Sequence, residues 1–306
     1  MKIYDSIIIG GGPAGLSAAI YLGRFNRECI VIDAGHGRTW THEVNDNYLG
    51  YPDGISSKVL RALGEQQARR FNAEFNHDRI TSVSCEGEIF ALKGAEDSYK
   101  SRTLILATGV KDVYPEAIES IADYIGRSLY WCITCDGYKV RDKNVMIVGD
   151  SDDAASTAMQ FLNFTNSITF VTNRTENDHQ ISAKWLERLM TAGIKFYEGK
   201  IVSAHGINGM FESIKLDNSE QISLEYMFNQ QPALPNNTLA KELGLILSPK
   251  GYIETNEEQR TNVPFVYAAG DVTRPYSHQI ITAAHEGSMA AQAANYDLYK
   301  PEQRMD

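Results

Sequence analysis

The chain is short of basic residues, of cysteine and of long apolar runs. Lysine and arginine total 29 against 39 aspartates and glutamates, a formal net charge of −10 over 306 residues. Without a basic field to draw in phosphates, the chain is not expected to bind nucleic acid. No window approaches the roughly 18 consecutive apolar residues that cross a bilayer. Met1 leads into the strand-like Tyr4–Ile9 with no basic region and no cleavage site. The expectation is a cytoplasmic protein with no membrane partner. Only four cysteines occur, and Cys29 and Cys85 stand alone, which argues against a secreted disulfide framework. Nine prolines against 24 glycines suit an α/β protein with many tight strand-to-helix turns. The length allows about two domains of ordinary size.

What is present begins at once. Ile7, Ile8 and Ile9 form a short apolar run, as expected of a central parallel strand buried on both faces. Gly10-x-Gly12-x-x-Gly15 follows, then a helical pattern over Pro13–Phe25 and a second strand, Cys29–Asp33, with an acid at its tip. Gly10 makes a tight turn, Gly12 lets backbone approach a pyrophosphate, and Gly15 lets helix and strand pack closely. The helix N-terminus supplies amide donors, and Asp33 is placed to accept from a ribose hydroxyl. Strand, turn, helix, strand and acid in order point to a dinucleotide held by Gly10, Gly12, Pro13, Ala14, Gly15, Asp33 and Ala34.

The same plan restarts at Asn144, with a strand over 144–149, a helix from Asp152 to Phe164 and a strand over 167–171. The glycine pattern does not repeat. Gly149 is followed by Ser151 and Ala154 at the other two positions, and Asp150, Asp152 and Asp153 crowd the turn. Thr172 stands where the ribose acid belongs. A carboxylate about 4 Å from a phosphate charge costs roughly 1 kcal/mol in water and about 4 kcal/mol at an effective dielectric of 20. The expectation is a unit that keeps the fold, loses the nucleotide and uses its aspartates to cap its own helix.

Between the two units lies WCITCDGYKV, with Cys132 and Cys135 in CxxC spacing followed by Asp136. In a cytosolic protein this pair suits reversible disulfide exchange. A zinc site needs a second ligand pair, which Cys29, Cys85 and seven scattered histidines do not offer, so no metal is expected.

An N-terminal dinucleotide fingerprint, CxxCDG before a second dinucleotide-like unit and a late Ala268-Ala269-Gly270-Asp271 segment come in the order of thioredoxin reductase. The chain resembles the low-molecular-weight members of that family over nearly its whole length. The resemblance implies an FAD enzyme of α/β class, with two Rossmann-like (three-layer ββα type) dinucleotide-binding domains, the second inserted into the first. The implied boundaries are 1–113 and 246–306 for the FAD domain and 114–245 for the central CxxC domain. Ala107, Thr108 and Gly109 match the family's ATG segment, and Asn47 lies in its flavin-side segment. Gly270 and Asp271 match the stretch whose acid binds the ribityl chain, and His278, Gln279 and Ile280 match the segment opening the last helix. Cys135 would face the flavin, Cys132 would exchange with the substrate disulfide, and Asp136 would donate and accept the proton, a task that burial must favour. A thioredoxin-like protein disulfide is the implied substrate and a homodimer the implied assembly.

Three departures bear on NADPH. The GxGxxA turn is broken as described. The HRRxxxR-like clamp reads Thr172, Asn173, Arg174, Thr175, Glu176, Asn177, Asp178, with one of three arginines left. The AIGxxPN-like segment reads Asn229-Gln230-Gln231-Pro232. The GGQL-type loop is replaced by Gly35 to Trp40, where Arg38 and Trp40 are placed either to shape the flavin site or, for Trp40, to pack. These changes make NADPH doubtful as a cofactor. They resemble the pyridine-nucleotide-independent branch, deeply rooted or ferredoxin-dependent, more than the dithiol oxidases that pass electrons to oxygen. An NADPH enzyme with an atypical site and an oxygen-using small-dithiol oxidase stand as alternatives. A non-catalytic flavoprotein has no use for Cys132, Cys135 and Asp136. Lys139, Arg141 and Lys143 are the candidate docking face for ferredoxin or another donor, and His278 and His285 would share a helix face.

Overall fold

The structure is a computed structural model and describes residues 1–41 and 44–304, the side chain of Thr41 excepted. The chain divides into two compact units, Met1–Lys111 with Ala233–Asp306, and Asp112–Pro232.

The first unit opens with β1 (Ile3–Ile9), α1 (Pro13–Arg24) and β2 (Cys29–Ile32), close to the spans read from the sequence. Helix α2 (Ser57–Arg69) and β3 (Glu74–Asn76) follow, then the strands β4 (Ile80–Glu86), β5 (Ile89–Gly94) and β6 (Ser98–Leu106).

The second unit contains β7 (Leu129–Tyr130), the single turn α3 (Ile133–Asp136), β8 (Val145–Val148), α4 (Asp152–Gln160) and β9 (Ile168–Val171). It continues through α5 (Ala183–Thr191), β10 (Lys195–Tyr197), β11 (Ile201–Ile207), β12 (Met210–Leu216), β13 (Gln221–Ser223) and β14 (Tyr226–Asn229). Parallel strands run in the order β7-β14-β8-β9-β10, and β11-β12-β13 form a separate antiparallel sheet. Alternation sorts the core into two layers. Ile147, Phe170 and Phe228 pack with the alanines of α4, while Met146, Val148, Val171 and Met227 pack with Ile214 and Leu216 of β12.

The chain then returns to the first unit with β15 (Val266–Ala268) and α6 (Ile280–Asp297). Its sheet runs β3-β2-β1-β6, and β6 is long enough to have two neighbours on its far edge. Residues 98–101 pair antiparallel with β5, and residues 104–106 pair parallel with β15. The hairpin β4–β5 therefore forms a layer of its own. Ile7, Ile9, Leu104 and Leu106 face Val83, Leu92 and Tyr99, while Ile8, Val31, Ile105 and Tyr267 face the helices.

Both units thus have the ββα layering expected. The division between them falls at 232/233, whereas the family pattern suggested 245. Leu234–Pro235 pair antiparallel with Val110–Lys111, and Leu239, Ala240 and Leu245 are buried in the first unit's core.

Helices α1 and α6 lie against each other through alanine and glycine. A Cβ on Gly287 would sit 2.0 Å from the carbonyl oxygen of Ala14. Backbone cannot give way as a side-chain tip can, so overpacking here costs about 1–3 kcal/mol. Gly287→Ala is expected to lower the thermal midpoint by roughly 3–10 °C, read by circular dichroism. An unchanged midpoint would mean that the two helices are not in this close contact.

Candidate functional site

In the first unit the cradle is built from backbone. Gly10 has φ of +111°, and a Cβ there would lie 2.2 Å from the carbonyl oxygen of Ala107. A Cβ on Gly15 would lie 1.9 Å from the carbonyl oxygen of Gly10. Gly12, by contrast, faces open space, with nothing within 4 Å of a built Cβ. It is the N-cap of the twelve-residue α1, with no side-chain cap and no acid in the first turn. Pro13 gives up an amide that the helix does not need. The remaining amides at this end are left for an anion.

Of the other expected residues, Asp33, Ala107 and Gly270 lie against this turn, and the rest make contacts of their own. Asp33, at the tip of β2, accepts from the indole nitrogen of Trp40 at 3.3 Å, and the Arg61 guanidinium stacks 3.7 Å from the centre of the Trp40 ring. Trp40 therefore packs and also braces the acid. Arg38 pairs with Asp271 at 2.9 Å, and Asn47 donates to Gln279 at 2.8 Å. Ala269 donates to Leu106, and Gly270 takes a φ of +82° with a Cβ position 3.0 Å from Ala14. His278 bonds the carbonyl of Arg274 at 2.8 Å. It precedes α6, which starts at Ile280, so it shares no helix face with His285; His285 is exposed.

Two positioning residues escaped the sequence reading. Asn236 donates to the carbonyl of Thr108 at 2.8 Å and its own carbonyl accepts from the Thr108 hydroxyl at 2.8 Å, clamping the Ala107–Gly109 segment. The signal was Pro235-Asn236, which completes the Pro-Asn end of the shared segment. Reading that segment from Asn229 stops at Pro232 and misses it. Glu286 is 1% exposed and accepts from the amide of Gly270 at 2.7 Å, with Arg274 as its ion-pair partner. Burial pushes the Glu286 carboxyl up, against the pull of the Gly270 amide and the Arg274 charge. One acid in the alanine-rich run AAHEGSMAAQAA marked it.

In the second unit Cys132 and Cys135 are joined as a disulfide, with Cα atoms 5.2 Å apart. Cys132 is the N-cap of α3, and its sulfur accepts from the amide of Cys135 at 3.0 Å. Asp136 is buried, donates its amide to the Cys132 carbonyl at 3.0 Å and accepts from the Lys139 ammonium at 2.9 Å. Burial works against the Lys139 charge, but the hydrogen bond to Asp136 and that residue's charge prevail and raise its pKa. The strand before the pair is held by Gln230, which donates to the carbonyl of Trp131 at 2.9 Å. Lys143 pairs with Glu225 at 3.1 Å. Two of the three basic residues read as a docking face are thus engaged with acids.

The second turn differs from the expectation in its cap. Ser151, not an aspartate, caps α4, accepting from the amide of Ala154 at 3.4 Å. Asp152 accepts from the amide of Ser182 at 2.7 Å, and Asp150 takes the Arg174 guanidinium at 2.6 Å. The carboxylates reach outward because the short serine already occupies the cap. A Cβ on Gly149 would lie 2.5 Å from the Cβ of Ala154.

Among known proteins, the pyridine nucleotide-disulphide oxidoreductase family model matches residues 4–294. A thioredoxin reductase of Bacillus subtilis is 30% identical over 304 residues, covering 96% of this chain and 95% of its own. One of Peptoclostridium acidaminophilum is 31% identical over 312 residues, covering 96% and 97%. The crystal structure of thioredoxin reductase from Streptococcus pyogenes superposes with a TM-score of 0.89 at 26% identity, over 97% of this chain and 98% of that one. The glycine cradle, the uncapped α1 and Asp33 fit FAD, the former for its pyrophosphate and the latter for a ribose.

The four cysteines are in different states. Cys29 is buried, which pushes its thiol up to about 12, while Cys85 is exposed. At pH 8 iodoacetamide is expected to label the native protein at Cys85 alone. After dithiothreitol it should also label Cys132 and Cys135, with Cys29 protected until unfolding. Mass spectrometry of the peptides reads this; labelling of Cys132 or Cys135 before reduction would contradict the disulfide.

Proposed function

This chain belongs to the pyridine nucleotide-disulphide oxidoreductase family, and we propose that it is a thioredoxin reductase-like flavoenzyme drawing electrons from a donor other than NADPH. FAD is its cofactor, held by Gly10, Gly12, Pro13, Ala14, Gly15, Asp33 and Ala34, with Arg38, Asn47, Ala107, Thr108, Gly109, Gly270, Asp271, His278, Gln279 and Ile280 around it. The substrate is a thioredoxin-like protein disulfide, and the enzyme acts as a cytoplasmic homodimer.

The observation that carries the donor assignment is the Arg174–Asp150 pair at 2.6 Å. Arg174 is the arginine left from the phosphate clamp, and its partner is an acid of the turn itself. A nucleotide phosphate would have to displace Asp150 from Arg174 and then lie among Asp150, Asp152 and Asp153. Ferredoxin is the donor class favoured by the branch resemblance. With Lys139 and Lys143 engaged by Asp136 and Glu225, of the three basic residues only Arg141 supports a docking face at this spot.

Cys132 is the nucleophile. Its sulfur takes the Cys135 amide, and a donor of that kind stabilises a thiolate. The Cys132 thiolate attacks one sulfur of the substrate disulfide, forming a mixed disulfide and releasing a substrate thiolate that takes up a proton. The Cys135 thiolate then attacks the Cys132 sulfur, re-forming the intrachain bond and releasing the second substrate thiolate, which takes up the other proton. The substrate gains two electrons and two protons. FAD, when bound, supplies the two-electron chemistry that returns the pair to dithiol. Asp136 holds and returns the proton at its carboxylate.

The deciding measurement is anaerobic. Flavin absorbance is followed as NADPH and, separately, dithiothreitol are added to the FAD-loaded protein. Dithiothreitol is expected to bleach the flavin and NADPH to leave it oxidised. Rapid bleaching by NADPH would make this an NADPH-dependent reductase with an atypical site. Oxygen uptake driven by small dithiols, without turnover of a protein disulfide, would favour the oxidase.

A further inference from the structure

We propose that Lys139 is a positioning residue of the redox site, its ammonium holding Asp136 in place and making the reduced cysteine pair reactive at neutral pH. The inference rests on the disulfide-exchange reading above and deepens it. Lys139 lies in the turn directly after α3, in the 3₁₀ segment Gly137–Val140, whose Val140 is fully buried and fixes the backbone. Its side chain is only 25% exposed, its partner Asp136 only 9%. The Asp136 amide in turn bonds the carbonyl of Cys132, so cation, carboxylate and both cysteines belong to one short, hydrogen-bonded stretch.

The surroundings keep the ammonium charged and in place. It lies 5.3 Å from the ring centre of Tyr130 in β7 and 5.7 Å from that of Tyr138, within cation–π reach of both. Tyr226 of β14 stacks on Tyr130. The titratable groups facing Lys139 include Asp136, Tyr130 and Tyr138, with Tyr226 behind Tyr130. Burial pushes the Tyr130 phenol up to about 12, so it stays neutral and does not compete for the cation. Removing the ammonium leaves a buried carboxylate, on the residue next to Cys135, without its counter-ion. A carboxylate that stays charged is then an uncompensated anion in the same hydrogen-bonded stretch as the two cysteines, and a nearby anion disfavours thiolate.

The test uses the FAD-loaded protein, reduced with dithiothreitol and freed of it anaerobically. Iodoacetamide alkylation rates at Cys132 and Cys135 are followed by mass spectrometry from pH 5 to 9.5. In Lys139→Met the profile should move up by about one pH unit, a roughly tenfold slower reaction at pH 7. Lys139→Arg should stay within about twofold of the parent, and Lys139→Gln repeats the neutral case should Met disturb packing on Tyr130. Superimposed profiles for the parent and both neutral variants would overturn the proposal, as would a shift in Lys139→Arg equal to that in Lys139→Met. Alkylation needs no protein substrate. Failure of the parent to turn over a protein disulfide would therefore strike at the function, and leave this result to be read by itself.

Discussion

A methyl group at residue 15 would stand 1.9 Å from the carbonyl oxygen of Gly10, closer than any atoms can pack. That single exclusion lets α1 start directly at the end of β1. It also leaves the first amides of α1 facing open space over Gly12. The helix has no side-chain cap and no acid in its first turn, so its positive end is not closed from within. The rest of the first unit follows the same constraint. Gly287 brings α6 against α1 at a distance that only a missing Cβ permits, and Gly270, at positive φ, sets the end of β15 close to Ala14.

The second unit builds the same layers on a turn of opposite character. Its core alternates between helix-facing and sheet-facing residues as in the first unit, so the fold survives. Ser151 closes the helix end from within at the position where the first unit has Gly12 and open space, while Ala154 packs close to Gly149 as Gly15 packs close to Gly10. Asp150 and Asp152 then tie the turn to Arg174 and Ser182. Folding depends on where apolar side chains point, whereas anion binding depends on open amides and charge. One set can be retained while the other is rewritten.

The polar groups that hold the site in place act at one remove. Asn236 fixes the Thr108 backbone, Glu286 fixes Gly270, and Gln230 fixes the strand before Cys132. Each satisfies a backbone group, and the buried Gly270 amide in particular would be costly to leave unpaired. Such bonds explain why segments far apart in sequence, such as 107–109 and 236, act together.

The sequence alone determined the two strand-turn-helix units, the nucleotide cradle and the redox pair. Those signals are local: glycine spacing, apolar runs and CxxC depend on residues a few positions apart. The tertiary structure decided what local spacing cannot reach. It put residues 233–245 with the first unit through a short strand pairing and the buried Leu239, Ala240 and Leu245, and it made Ser151 rather than an aspartate the cap of α4. It also brought Arg38 onto Asp271, Trp40 onto Asp33 and Arg174 onto Asp150. A charged side chain finds its partner by distance in space, and until the backbone is folded the sequence offers several acids to each arginine.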